Sequence, residues 1–118
     1  MKCNQILIVE DDDGIREALR LTLELEGYEV LTAANGQLGL DALKEIKTPC
    51  LILLDLMMPV MDGWTFAEAL GKDMALAAIP VIVVTAVADS AKGVTRAREV
   101  IKKPVDVDLL LRLVKQYC

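Results

Sequence analysis

The residues able to do chemistry in this chain are acids, one hydroxyl and one ammonium, and each group follows an aliphatic run. Glu10-Asp11-Asp12-Asp13 follows Ile6-Leu7-Ile8-Val9. Asp55 follows Leu51-Ile52-Leu53-Leu54. Thr85 ends Val81-Ile82-Val83-Val84, and Lys102-Lys103-Pro104 follows Val100-Ile101. The chain has no histidine. That excludes histidine acid–base catalysis, a Ser-His-Asp triad and a histidine-ligated metal. Carboxylates a few ångströms apart in a partly desolvated site repel, and one takes up a proton unless a cation binds. A hard, oxygen-liganded cation relieves the repulsion, and Mg²⁺ suits one or two carboxylates with retained water. Beside such a metal, a strand-end carboxylate such as Asp55 can attack phosphorus and form an aspartyl phosphate. Lys103 can then pair with the added charge, and Thr85 can donate a hydrogen bond to it.

These residues work together only if the fold brings them to one place. Five aliphatic runs, Gln5–Glu10, Tyr28–Ala33, Cys50–Leu54, Pro80–Thr85 and Glu99–Lys102, alternate with amphipathic stretches. Three are continuously apolar, as strands covered on both faces of a parallel sheet are. Tyr28–Ala33 and Glu99–Lys102 are mixed, as edge strands are. Between them we expect helices. The first is capped by Asp13, turns Ile15, Leu19, Thr22 and Leu23 to one face and ends at Gly27. The second runs from Gly36 to Ile46, the third from Gly63 to Leu70, and the last from Asp106 with Val107, Leu110, Leu111, Val114 and Tyr117 in register. Asp89 to Arg98 has few apolar anchors and contains Gly93, so one short, mobile helix is expected there. Right-handed β-α-β crossovers then give an α/β, doubly wound, five-stranded parallel sheet in one domain, 1–118. Ligands bind beyond the carboxyl ends of such strands, where all the groups named above fall.

Composition narrows the function classes. Hydrophobic residues make up 54 % and aromatics 3 % of the 118 residues, so the core must be aliphatic. No apolar run approaches the roughly 20 residues of a membrane helix. Ile6 to Val9 is too short for a signal peptide's apolar region of roughly 7–15 residues. A soluble, cytoplasmic protein is the expectation. The net charge of −5 and the absence of a basic run leave no electrostatic footprint for nucleic acid. Cys3, Cys50 and Cys118 form no zinc or redox motif, and we expect reduced thiols.

The stretches Ile6-Leu7-Ile8-Val9-Glu10-Asp11-Asp12, Leu53-Leu54-Asp55-Leu56-Met57-Met58-Pro59-Val60-Met61-Asp62-Gly63, Val83-Val84-Thr85-Ala86 and Lys102-Lys103-Pro104 occur in that order along the chain. Jointly they resemble the receiver domain of bacterial two-component response regulators. The resemblance implies the (βα)5 flavodoxin-like, CheY-like fold, with Asp55 as the phosphorylated residue. It implies Asp11 as a direct Mg²⁺ ligand, Glu10 as one acting through water, and the main-chain carbonyl of Met57 as a third protein ligand. It makes Thr85 the hydroxyl that follows the phosphoryl group and Lys103 the lysine that pairs with it, before a Lys-Pro bond that is often cis in the family. A histidine kinase or histidine phosphotransfer protein would be the donor, and a downstream protein the target.

Two departures fall on the face that signals in this family. The position three before the lysine, Tyr or Phe in many members, is Val100, and the stretch from Thr85 to Lys103 is a few residues short. A rival reading, a phosphatase or phosphotransferase of the haloacid-dehalogenase type, wants a second Asp two positions after the nucleophile, where Met57 stands. A flavodoxin-like cofactor binder needs a Ser/Thr/Gly phosphate loop after the first strand, where four acids stand. A degenerate receiver that binds partners without phosphorylation would not need the retained acids. The leading expectation is a phospho-switch module rather than a turnover enzyme, signalling through protein contacts unless the chain is a piece of a longer regulator.

Overall fold

The computed structural model describes residues 4–46, 48–94 and 96–118, apart from the side chains of Ser90 and Lys92. Five strands, β1 (Gln5–Val9), β2 (Glu29–Ala33), β3 (Leu51–Leu54), β4 (Val81–Thr85) and β5 (Ala97–Lys102), form one sheet. Every pairing is parallel and the order is β2-β1-β3-β4-β5. The two mixed-polarity segments are the edges, and the three continuously apolar ones lie between them. Helices cover both faces: α1 (Asp13–Leu25), α2 (Gly36–Ile46), α3 (Gly63–Gly71), the single turn α4 (Met74–Ala77) and α5 (Val107–Tyr117).

Strand alternation sorts the aliphatic residues into two cores. Leu7, Val9, Ile52, Leu54, Val81 and Val83 pack with Leu43, Phe66 and Leu70 on the α2/α3 side. Ile6, Ile8, Leu51, Leu53, Ile82 and Val84 pack with Leu19, Leu23, Leu110 and Val114 on the α1/α5 side. Phe66, fully buried, lies against Gly39, where a Cβ would come within 2.9 Å of its ring.

Several boundaries differ from the sequence expectation. The cap of α1 is Asp12, whose side chain accepts from Ile15 N–H at 2.8 Å; Asp13 is the first helical residue and pairs with Arg16 instead. Adjacent aspartates compete for one cap, and the one in extended conformation wins. Gly27, at φ +93, does end the helix. The turn α4 was not expected; Asp73 caps it by accepting from Ala75 and Leu76 N–H. The segment expected to hold a short helix is a 3₁₀ helix, Ala88–Gly93. It has apolar anchors after all, since Ala91 and Val94 are buried in the α2/α3 core. β5 begins at Ala97, two residues before the expected start. Thr95 in that stretch, and Cys3 at the N-terminus, lie outside the described residues.

The expectation of reduced thiols fails for Cys50 and Cys118, which form a disulfide with their Cα atoms 5.6 Å apart. The topology explains it. Helices that return antiparallel to the strands bring the end of α5 back to the level where β3 starts. A contact across 68 residues leaves no local spacing motif to read.

Candidate functional site

The chain leaves β1 towards β2 on one side and reaches β3 on the other, so the carboxyl ends of β1 and β3 flank the switch point of the sheet, where a crevice opens. Glu10 and Asp11 follow β1, and Asp55 follows β3, beside them. The backbone holds these two ends in line: Val9 pairs with Leu54, and Asp55 N–H donates to the Val9 carbonyl at 3.0 Å. Carboxylate oxygens of Glu10, Asp11 and Asp55 all lie within 4.8 Å of one another. Glu10 and Asp55 are buried, whereas Asp11 is exposed.

Lys103 enters from the end of β5. Its backbone N–H donates to the Thr85 carbonyl at 3.0 Å, and its peptide bond to Pro104 is cis. The ammonium lies 2.6 Å from a Glu10 oxygen and 3.3 Å from Asp55 Oδ2. The carboxylates are therefore already bridged by a cation of the chain itself, which composition and spacing did not reveal. The other Asp55 oxygen accepts from Leu56 N–H at 2.8 Å, and Glu10 Oε2 accepts from Asp12 N–H at 3.2 Å.

Burial outweighs these partners at Glu10, and its carboxyl is pushed up to about 7. The Lys103 hydrogen bond and the Asp12 N–H pull it down by less, and the Asp55 charge adds to the rise. Burial also disfavours the Lys103 ammonium, but Glu10 and Asp55 more than offset that and hold it above the usual lysine range. The rise at Glu10 has the direction that repulsion among the acids gives, but the Asp55 charge is the smaller part of it. Desolvation is the larger cause.

Thr85 is fully buried at the end of β4, and its hydroxyl oxygen accepts from Val87 N–H at 3.2 Å. Met57, on the loop after Asp55, is 59 % exposed. The structure thus brings Glu10, Asp11, Asp55 and Lys103 together directly. Thr85 adjoins them through the β4–β5 ladder, where it pairs with Lys102.

Two further residues shape the site. Arg16 donates from Nη1 to the carbonyls of Glu10 at 2.9 Å and Asp11 at 3.4 Å, tying the acidic loop to α1. Its position one helical turn into α1 was a usable signal. Gly63 starts α3 so close to the Asp55 backbone that a Cβ would lie 2.3 Å from the Asp55 carbonyl oxygen and 2.7 Å from Leu56 Cα. Only a residue without Cβ lets the loop close there.

The sequence matches the response regulator receiver domain family over residues 6–115. The chain belongs to that family. Among curated relatives, the DNA-binding dual master transcriptional regulator RpaA of Synechocystis sp. is 38 % identical over 115 residues, which cover 94 % of this chain and 47 % of RpaA. Protein PilH of Pseudomonas aeruginosa is 38 % identical over 114 residues, covering 93 % of each chain. This receiver domain therefore spans less than half of RpaA but nearly all of PilH. Among solved structures, the signal receiver domain of a signal transduction histidine kinase from Syntrophus aciditrophicus superposes with a TM-score of 0.85 at 34 % identity, over 98 % of this chain and 89 % of that one. The receiver fold expected from the resemblance, five parallel strands doubly wound by helices, is the one observed.

Proposed function

We propose that this receiver domain is a phospho-acceptor switch in which Asp55 takes a phosphoryl group from a phosphohistidine of a histidine kinase or phosphotransfer protein. The observation that carries the reading is the cluster of Glu10, Asp11 and Asp55 within 4.8 Å, with Lys103 bridging two of them. In the transfer, an Asp55 oxygen forms the bond to phosphorus as the phosphorus–nitrogen bond breaks and the imidazole leaves. The lack of histidine in the chain fits a donor in trans.

The donor set suits Mg²⁺, with Asp11 and Asp55 as direct ligands, Glu10 acting through water and the Met57 carbonyl completing the protein share. Bound there, Mg²⁺ would neutralise phosphoryl oxygens during transfer. The chain's own groups do the rest. Leu56 N–H fixes one Asp55 oxygen and so orients the carboxylate. Lys103 gives up its contact with Asp55 Oδ2 for the incoming phosphoryl oxygens, and its bond to Glu10 keeps it at hand. The Thr85 hydroxyl, now accepting from Val87 N–H, has its own proton to donate to the phosphoryl group.

We read the whole chain, 1–118, as one receiver domain in the cytoplasm. It acts through a downstream protein, without contacting nucleic acid or membrane and without turning over a substrate. Among the described residues, no helix is long and apolar enough to cross a membrane. Incubation with acetyl phosphate, with and without Mg²⁺, tests the reading by intact mass. A gain of one phosphoryl group that needs Mg²⁺ is the expected outcome; no gain, or a gain indifferent to the metal, would overturn it.

A further inference from the structure

The disulfide between Cys50 and Cys118 lies at the other end of the sheet from the acids. Cys50 precedes β3, while Asp55 follows it, so the strand's length separates the bond from the acceptor. At the start of β3, Cys50 N–H donates to the Gln5 carbonyl at 2.8 Å, which fixes that cysteine to the sheet. Cys118 caps the C-terminus of α5, its N–H donating to the Val114 carbonyl at 2.9 Å. The bond therefore joins the last turn of one helix to the sheet.

In that turn Val114 is fully buried and Tyr117 half-buried, while Lys115 and Gln116 are exposed; Cys118, just beyond, is itself in the α1/α5 core. A helix end with few buried side chains opens at less cost in free energy than the middle of the helix, and the link adds to what Val114 and Cys118 hold. A link closing 68 residues of sequence, from β3 through α5, removes freedom from the unfolded chain, somewhat more than a short one does. The Cα separation of 5.6 Å in the closed form falls where disulfides commonly occur. Cys50 is only half-buried, which leaves a path for an attacking thiolate.

We propose that Cys50 and Cys118 are a reversible redox site that sets how firmly the end of α5 is held to the sheet. In closure, each thiol loses one proton and one electron as the sulfur–sulfur bond forms. The two electrons and two protons convert a low-molecular-weight disulfide, such as glutathione disulfide, into two thiols. Opening is the reverse exchange, with a thiol as reductant. The site stands outside the phosphoryl chemistry, and its readouts need no phosphoryl donor.

The test uses the full chain, folded, first reduced with dithiothreitol and then equilibrated with glutathione disulfide. Intact mass, peptide mapping, thermal melting and amide hydrogen exchange are read on both forms. The oxidised monomer should be lighter by two hydrogens, with the link mapped to Cys50 and Cys118, and should return to the thiol form on reduction without denaturant. Its melting midpoint should lie about 10 °C or more above that of the reduced form. Exchange in residues 114–118 should be slower by about tenfold or more. Cys118→Ser should abolish the difference, whereas Cys3→Ser should retain it. Thiols that stay free under oxidant, a link that forms through Cys3 or between chains, a bond that no thiol opens in the folded protein, or equal melting and exchange in the two forms would overturn the proposal.

Discussion

At Glu10, burial and charge pull in opposite directions. The residue is 2 % exposed and has Lys103 at 2.6 Å, yet its carboxyl stays up at about 7 against an ordinary value of 4.5. A folded-state pKa above the unfolded one means that the native state holds the proton longer. The metal-free fold should therefore lose stability as pH rises from about 4.5 to about 7, by at most about 3 kcal/mol, and level off beyond. Urea melts across that range should show the slope in the wild type and not in Glu10→Gln. Mg²⁺ should flatten it, since the metal favours the ionised form. A second prediction concerns phosphoryl lifetime. Met57 and Val87 stand two positions beyond Asp55 and Thr85, and neither can hydrogen-bond an attacking water. Loss of the phosphoryl group should be slow, and Met57→Asn should hasten it several-fold by decay of the phosphorylated mass; equal decay in the two proteins would refute the idea. At this scale the sequence was informative about identity and poor about pairing. Acids at strand ends were visible in the order of residues. That Lys103 would already bridge Glu10 and Asp55 depended on how far β5 reaches beside β4, which no local pattern encodes.

Elements fix these residues in place, and the tightest constraint is where α3 begins. Any Cβ at Gly63 would overlap the Asp55 carbonyl oxygen at 2.3 Å, so the backbone after Asp55 must shift to admit one. Gly63→Ala should cost about 2 kcal/mol or more in denaturant melts and slow phosphorylation with it. An alanine variant of unchanged stability and rate would contradict the geometry. The readout belongs to this scale as well. Val100 is 44 % exposed on β5, and a β-branched side chain has few rotamers to choose among. The 3₁₀ helix Ala88–Gly93 is the better bistable element, directly after Thr85 and anchored by Ala91 with Val94 just beyond. Its hydrogen-bond geometry is poorer than that of an α-helix. Phosphorylation should change amide exchange between residues 86 and 94 more than elsewhere on the surface, and unchanged protection there would place the response on another face. The continuously apolar strands and the helices from Gly36, Gly63 and Asp106 were legible from the spacing of their apolar residues. The turn Met74–Ala77 was not, because four residues are too few to show a period. The 3₁₀ segment was legible only as a weak helix, since its two anchors are an alanine and a valine.

For the molecule as a whole, one topological fact does most of the positioning. The order β2-β1-β3-β4-β5 makes neighbours of β1 and β3, and through β4 it brings Thr85 and Lys103 to the same end of the sheet. Alternating runs and helices were enough to expect a doubly wound sheet, because parallel strands with right-handed crossovers leave few alternatives. The disulfide shows the limit of that reasoning: Cys50 and Cys118 meet only once the end of α5 has returned to the start of β3. The family match covers residues 6–115, so the site and the sheet that builds it belong to one receiver domain. On the proposed reading, this arrangement makes Asp55 the phosphoryl acceptor. The most direct test of that reading is intact mass of the wild type and of Asp55→Asn after the same exposure to acetyl phosphate and Mg²⁺. The wild type should gain one phosphoryl group and the variant none; a gain of one group in Asp55→Asn at a comparable rate would contradict the account.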